Sequence, residues 1–234
     1  MEHKRLTLFA GHYGSGKTNI AVNYAIAMAK EGKKVCIADL DIVNPYFRTK
    51  DSAKELAQAG VELVSPQFAN TNVDLPALPA EAYRLVTDKA TYGIMDIGGD
   101  DRGAYALGRY VPAIKEENNY RMVFVANCYR PLTRTPEEAL EVMREIEAAC
   151  GLAFTDLVNN ANLGSETTAQ TVLSSLEYMQ TLSAISGLPI FAHTAMTQVA
   201  EALGGKIEPV LPLQLQEKYF DLPSQKPVNR PLWG

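Results

Sequence analysis

Short apolar runs alternate along the chain with longer stretches in which apolar and polar positions mix. The runs are Leu6–Ala10 (LTLFA), Lys34–Ala38 (KVCIA), Val61–Val64, Tyr92–Met95, Arg121–Ala126 (RMVFVA), Phe154–Val158 and Pro189–Ala192. Bounded by Gly, Asp, Asn or Pro, they predict buried strands. Between them, helices are predicted at Thr18–Lys30, Asp51–Ala59, Pro79–Asp88, Ala104–Lys115 with a break near Pro112, Thr135–Cys150, Glu166–Ile185 and Thr197–Leu203. Thr135-Pro136-Glu137-Glu138 is a well-formed helix start, with a hydroxyl cap, Pro at the first position and acids in the first turn. Ser65–Leu78 and Ile97–Gly103 read as loops. From Gly204 onward the chain is Pro-rich and reads as irregular. Strand–helix alternation predicts an α/β fold of three layers, a mostly parallel central sheet with helices on both faces. Residues 1–204 are read as one domain and 205–234 as a tail packed on the domain or on a partner.

In such a sheet, ligands lie outside the carboxyl ends of the strands, so the residues after each strand matter most. After the first strand stands Gly11-His12-Tyr13-Gly14-Ser15-Gly16-Lys17-Thr18, which fits G-x-x-x-x-G-K-[ST] at every fixed position. Strand, glycine-rich loop and helix N-terminus together turn backbone N–H groups and the positive helix end onto phosphate oxygens. Gly11, Gly14, Ser15, Gly16, Lys17 and Thr18 are the expected phosphate contacts. Lys17 is expected on the outer phosphates, and the Thr18 hydroxyl on Mg²⁺. After the second strand come Asp39 and Asp41, two apart and thus on one side of an extended segment. After the fourth comes Asp96, followed by Ile97-Gly98-Gly99. Asp96 is expected at the metal; of Asp39 and Asp41, one is expected to hold the metal through water and the other to orient or activate the attacking water, so Lys17, Asp39 and Asp41 are the candidate catalytic residues. The plain alternatives are a solvated acidic loop for Asp96 and a cap or turn for Asp39 and Asp41. After the sixth strand, Asn159-Asn160-Ala161-Asn162 lacks the Lys and Asp of an N-K-x-D guanine motif. Asn amides suit the adenine edge, which favours ATP over GTP.

Composition narrows the setting. The 234 residues are 47% hydrophobic and 21% charged, with a formal net charge of −5. An acidic balance disfavours nucleic acid and anionic membrane as partners. No apolar run reaches spanning length, and no signal-peptide core precedes the first strand, so a cytoplasmic location is expected. The three cysteines, Cys36, Cys128 and Cys150, have no metal-binding spacing and read as buried thiols; a reactive Cys128 is the alternative.

These motifs resemble the MinD/ParA/nitrogenase-iron-protein group of P-loop ATPases, which includes the CobQ/CobB/MinD/ParA nucleotide-binding domain. The resemblance rests on GHYGSGKT, ADLD after the second strand, MDIGG after the fourth and LVNNA late in the chain, over about residues 5–200. It implies a P-loop NTPase fold, ATP and Mg²⁺ as cofactors, Asp41 in a first switch, Asp96 opening a second, and Asn159 against the adenine. It also implies a partner protein and a homodimer that changes between ATP and ADP states. One position departs: the family's signature lysine, just after the first Gly of the loop, is His12 here, and an imidazole is mostly uncharged at pH 7. Arg48 is a substitute cation by position, or a surface Arg. The region after Asp96 has no cysteine for a bridging iron–sulfur cluster, and the tail lacks the basic amphipathic helix of MinD.

Three functions stay open on these residues. One is an ATP-hydrolysing switch that regulates or assembles a partner protein. Another is an ATP-dependent small-molecule enzyme of the dethiobiotin-synthetase or amidoligase kind, with Asn44–Arg48 and Gln67–Asp74 forming the substrate site. The third is a nucleotide-binding module with little turnover.

Overall fold

Eight parallel strands form one sheet among the residues that the computed structural model describes, 3–40, 49–64, 80–98 and 101–215. In chain order the elements are β1 (Leu6–Ala10), α1 (Lys17–Lys30), β2 (Val35–Leu40), α2 (Ala53–Gln58), β3 (Glu62–Val64), α3 (Arg84–Thr87), β4 (Tyr92–Ile97), α4 (Asp101–Gly108), α5 (Val111–Glu117), β5 (Tyr120–Ala126), α6 (Pro136–Cys150), β6 (Asp156–Asn159), α7 (Ala169–Ser174), α8 (Leu176–Ser186), β7 (Ile190–Met196), α9 (Thr197–Leu203) and β8 (Val210–Leu213). Short 3₁₀ turns at Thr49–Ser52 and Ala80–Tyr83 lead into α2 and α3. The strand order is β3-β2-β4-β1-β5-β6-β7-β8. β1 therefore lies centrally, paired to β4 on one side and β5 on the other.

Both sheet faces are covered, which is why the strands read as continuous apolar runs. Leu6, Leu8 and Ala10 of β1 pack with Leu107 of α4, Ile114 of α5, Met143 of α6 and Leu182 of α8. Phe9, on the opposite face, packs with Ile20, Tyr24 and Met28 of α1 and with Leu56 of α2. At the end of the sheet opposite the strand termini, Arg5 (6% exposed) forms a short ion pair with Glu117 and donates to the carbonyls of Leu85 at 2.7 Å and Thr91 at 3.1 Å.

The structure departs from the sequence pattern at several points. Pro112 sits in the first turn of α5 and starts that helix, with Tyr110 as the hinge from α4. The single helix predicted from Glu166 to Ile185 is two, parted at Ser175, whose hydroxyl donates to Val172 O at 2.7 Å at the turn between α7 and α8. Strands β2 and β4 run on through Asp39 and Asp96, so both carboxylates lie within strands. Val210–Leu213, expected to be irregular, forms the edge strand β8 against β7, where Pro212 is tolerated. The sheet thus extends past residue 204. The predicted loop Ser65–Leu78 lies outside the described residues.

Candidate functional site

The loop between β1 and α1 crosses the carboxyl end of the sheet at its centre. Gly11, Gly14 and Gly16 have φ of 153°, 75° and 93°. Two of them also have no room for a side chain. A Cβ on Gly11 would stand 2.7 Å from Val125 O of β5, and one on Gly16 would stand 2.2 Å from Asn160 Nδ2. Ser15 N–H donates to His12 O at 3.1 Å, closing the turn, and Lys17 Nζ reaches the same carbonyl at 3.5 Å. The lysine is only 4% exposed and Thr18 only 7%. Ser15 Oγ and His12 Nδ1 are buried with no hydrogen-bond partner among the described residues. The Ser15 oxygen lies 3.2 Å from the position of a Gly11 Cβ. A buried hydroxyl without a partner is costly unless something else satisfies it. A glycine-shaped turn at a helix N-terminus, a buried lysine and an unpartnered hydroxyl suit a phosphate anion, so this cradle fits the expected group.

Beside it lie two carboxylates. Asp39 and Asp96 are register partners across β2 and β4. Their neighbours Ile37 and Ile94 pack on the α1 face, and alternation puts both aspartates on that same face. They are 3% and 0% exposed. The buried Thr49 hydroxyl, in the turn before α2, donates to Asp96 Oδ2 at 3.2 Å. Thr18 stands in the first turn of α1, above the same face. One hydroxyl and two carboxylates are the hard oxygen donors that Mg²⁺ takes beside phosphate. Asp41 and Arg48, together with Asn44–Arg48, Gln67–Asp74 and Gly99, lie outside the described residues.

On the other side of the loop, Asn159 and Asn160 diverge. Asn160 Nδ2 donates to Ser15 O at 2.6 Å, and its Oδ1 accepts from the Thr194 hydroxyl at 2.7 Å. It ties the phosphate loop to β6 and β7. Asn159, expected against the base, turns into the interior. Its Nδ2 donates to Ser175 Oγ at 2.8 Å and to His193 Nδ1 at 3.1 Å. Burial lowers the His193 pKa below the ordinary imidazole value, and Nδ1 accepting a bond puts the neutral ring's proton on Nε2. Asn162 Oδ1 is occupied by Gly164 N–H at 2.6 Å and the Thr167 hydroxyl at 3.2 Å. A cleft of about 600 Å³ opens there, lined by Asn162, Thr167, Met196, Thr197 and Gln198, with Leu213 of β8. Burial raises the Cys128 thiol above its usual range, which speaks for the buried-thiol reading over the reactive one.

Thr49 and Thr194 carried no sequence signal, since neither belongs to a spaced motif. The tie from Asn160 to the loop spans 145 positions and becomes visible only in the folded chain. Among the described residues no cluster of three or more His, Cys, Asp or Glu is placed to hold a metal by itself, and no helix is long and apolar enough to cross a membrane.

Solved structures share the fold. The cell division protein FtsY from Thermotoga maritima superposes with a TM-score of 0.57 at 17% identity, over 81% of this chain and 60% of that one. FtsY from Mycoplasma mycoides gives 0.56 at 16% identity, with the same coverages. The chain thus spans about 60% of the length of these neighbours. No curated protein matches it. The model of the CobQ/CobB/MinD/ParA nucleotide-binding domain matches residues 6–186. A P-loop NTPase, this chain belongs to the CobQ/CobB/MinD/ParA nucleotide-binding domain family.

Proposed function

We propose that the chain binds MgATP, hydrolyses it, and uses the ATP and ADP states as a switch that regulates or assembles a partner protein. The observation that carries this reading is the juxtaposition of an anion cradle with a register-paired Asp39 and Asp96 on the face of α1. Lys17, 4% exposed within the loop, neutralises the outer phosphates. The glycine-rich turn and the N-terminal end of α1 hold the inner ones. Thr18, Asp39 and Asp96 hold Mg²⁺. Held there, Mg²⁺ would supply positive charge beside the phosphate oxygens. Asp41, by its place after β2, orients the attacking water.

ATP is favoured over GTP by the loop after β6. Guanine needs an acceptor facing its N1–H and N2 amine, whereas the Asn162 oxygen is occupied by Gly164 and Thr167. What Asn162 offers the cleft is an amide donor, which suits adenine N1. A second copy of the chain is a further expected partner.

The test is MgATP hydrolysis by the purified chain over a series of protein concentrations, with Lys17→Ala and Asp41→Ala alongside. Turnover per chain that rises with concentration and is lost in both variants supports a dimerising ATPase switch. Tight MgATP binding with no turnover at any concentration, with or without a partner, refutes hydrolysis and leaves a binding module.

A further inference from the structure

Arg130 has no role in the site described so far. It stands in the loop from β5 to α6. The position of a Cβ on Gly14 is 3.8 Å from its Nε and 3.9 Å from its Cζ. The guanidinium therefore leans on the apex of the phosphate loop. Among the described residues its side chain makes no ion pair or hydrogen bond, although a chain of net charge −5 offers many carboxylates.

The loop that presents it is braced. Asn127 is 1% exposed. Its Oδ1 accepts from Tyr129 N–H at 3.1 Å and its Nδ2 donates to Asn162 O at 3.2 Å. The Thr133 hydroxyl donates to Asn127 O at 2.9 Å, and the hydroxyls of Tyr129 and Tyr178 donate to Thr171 O and Thr133 O. Leu132 takes a left-handed φ of 64° while 61% exposed. A leucine resists that conformation, and little burial offsets it. The turn two residues after Arg130 is thus held against its own preference, as happens where a loop positions a functional group.

We propose that Arg130 is a phosphate-binding residue: acting in cis, it places its guanidinium on the polyphosphate of the nucleotide held by Gly11–Thr18. The assignment rests on the nucleotide reading above. Lys17 is the one lysine of the loop, and His12 beside it is an imidazole. An exposed guanidinium without a competing carboxylate, carried by a braced loop to the edge of an anion cradle, supplies the remaining charge, and its planar fork matches two phosphate oxygens.

Isothermal titration with MgATP tests this on the full chain, wild type against Arg130→Ala, Arg130→Lys and Lys17→Ala. Protein is kept at a concentration where light scattering shows monomer. Arg130→Ala is expected to weaken MgATP binding about 10- to 100-fold, the loss of a charge-assisted hydrogen bond. It is also expected to flatten the salt dependence of the affinity, with Tm unchanged. Arg130→Lys is expected to restore part of the affinity, because the charge returns without the fork. Wild-type binding that Lys17→Ala abolishes and Arg130→Ala leaves intact overturns the proposal and spares the nucleotide reading. Weakened binding with an unchanged salt dependence and a lowered Tm also overturns it, because Arg130 then supports the loop structurally. Repeating the titration at concentrations where light scattering shows association reads the alternative: a loss confined to associated chains overturns the action in cis. Wild-type protein that binds no MgATP ends both readings.

Discussion

Substituting Gly16 by Ala tests whether the phosphate loop owes its shape to one cross-chain contact. Two effects add at this position. The φ of 93° lies in the region that costs an L-residue about 1–2 kcal/mol. The new Cβ would also stand 2.2 Å from Asn160 Nδ2, so that amide must leave its 2.6 Å bond to Ser15 O. Asn160 cannot swing away freely, because Thr194 holds its other end at 2.7 Å. Losing a buried bond of this kind costs about 1–3 kcal/mol. The sum is about 3 kcal/mol, or a Tm lower by about 6–12 °C in a chain of this size. Gly151→Ala is the control, since Gly151 has φ 73° and no atom within 4 Å of its Cβ position; it carries the conformational cost alone. Equilibrium urea unfolding of Gly16→Ala, Asn160→Ala and the double variant isolates the second effect. With Asn160 truncated, the collision disappears and Gly16→Ala costs no more than the control. A coupling of about 1–3 kcal/mol is therefore expected. Strict additivity, or a Gly16→Ala cost equal to that of Gly151→Ala, refutes the argument that Asn160 shapes the loop.

Two further outcomes follow from buried polar groups. His193 is 7% exposed, its pKa is lowered by burial, and its Nδ1 accepts from Asn159. The unfolded chain thus binds the proton more readily than the folded one, so stability falls as pH drops below about 6.5. Unfolding of wild type against His193→Gln between pH 7.5 and 5.5 checks this; parallel pH profiles would show that His193 does not contribute. Glu117 is pushed up by burial, but Arg5 and Lys89 outweigh that effect and hold its carboxyl below the usual range. Glu117→Gln leaves the Arg5 guanidinium, 6% exposed, without its counter-charge. A loss of about 3–5 kcal/mol is expected in urea unfolding, and a loss under 1 kcal/mol contradicts the burial argument.

What was legible in the sequence was what local chemistry dictates. The apolar runs of β1, β2, β4 and β5 marked a sheet buried on both faces. Thr135 and Glu138 form the full capping box that their spacing suggests. The cradle at Gly11–Thr18 is contiguous, so a pattern of eight residues describes it. Strand ends were harder. Asp39 and Asp96 look like loop residues by composition, yet they pair within the sheet, because Thr49 and α1 cover them. The edge strand β8 is not legible in the sequence because Pro212 breaks its pattern, while its neighbours pair with β7 all the same. Asn159 and Asn160 are adjacent in sequence and opposite in role, since successive residues of a strand face opposite sides. No spacing rule says which of the two meets the phosphate loop.

The contacts around the loop also bear on how a switch would work. Asn160 joins Ser15 to Thr194, and Asn127 joins the Arg130 loop to Asn162. The phosphate loop, the Arg130 loop and the cleft beside Asn162 thus form one hydrogen-bonded body at the ends of β1, β5, β6 and β7. Asp39, Asp96 and Thr49 stand on the other side of β1, at β2 and β4. A nucleotide whose base and phosphates sit on the first group, with its metal held by the second, would bridge the two. The terminal phosphate is the one group that ATP has and ADP lacks, and it would lie toward the metal held on the β2–β4 side. Any change in partner affinity should therefore arise from the segments that follow β2 and β4. Hydrogen exchange of MgATP- against MgADP-bound chain is expected to differ around Thr49–Ser52 and α4 and to coincide around Asn127 and Asn160. Differences confined to the β5–β6 loops would refute that division.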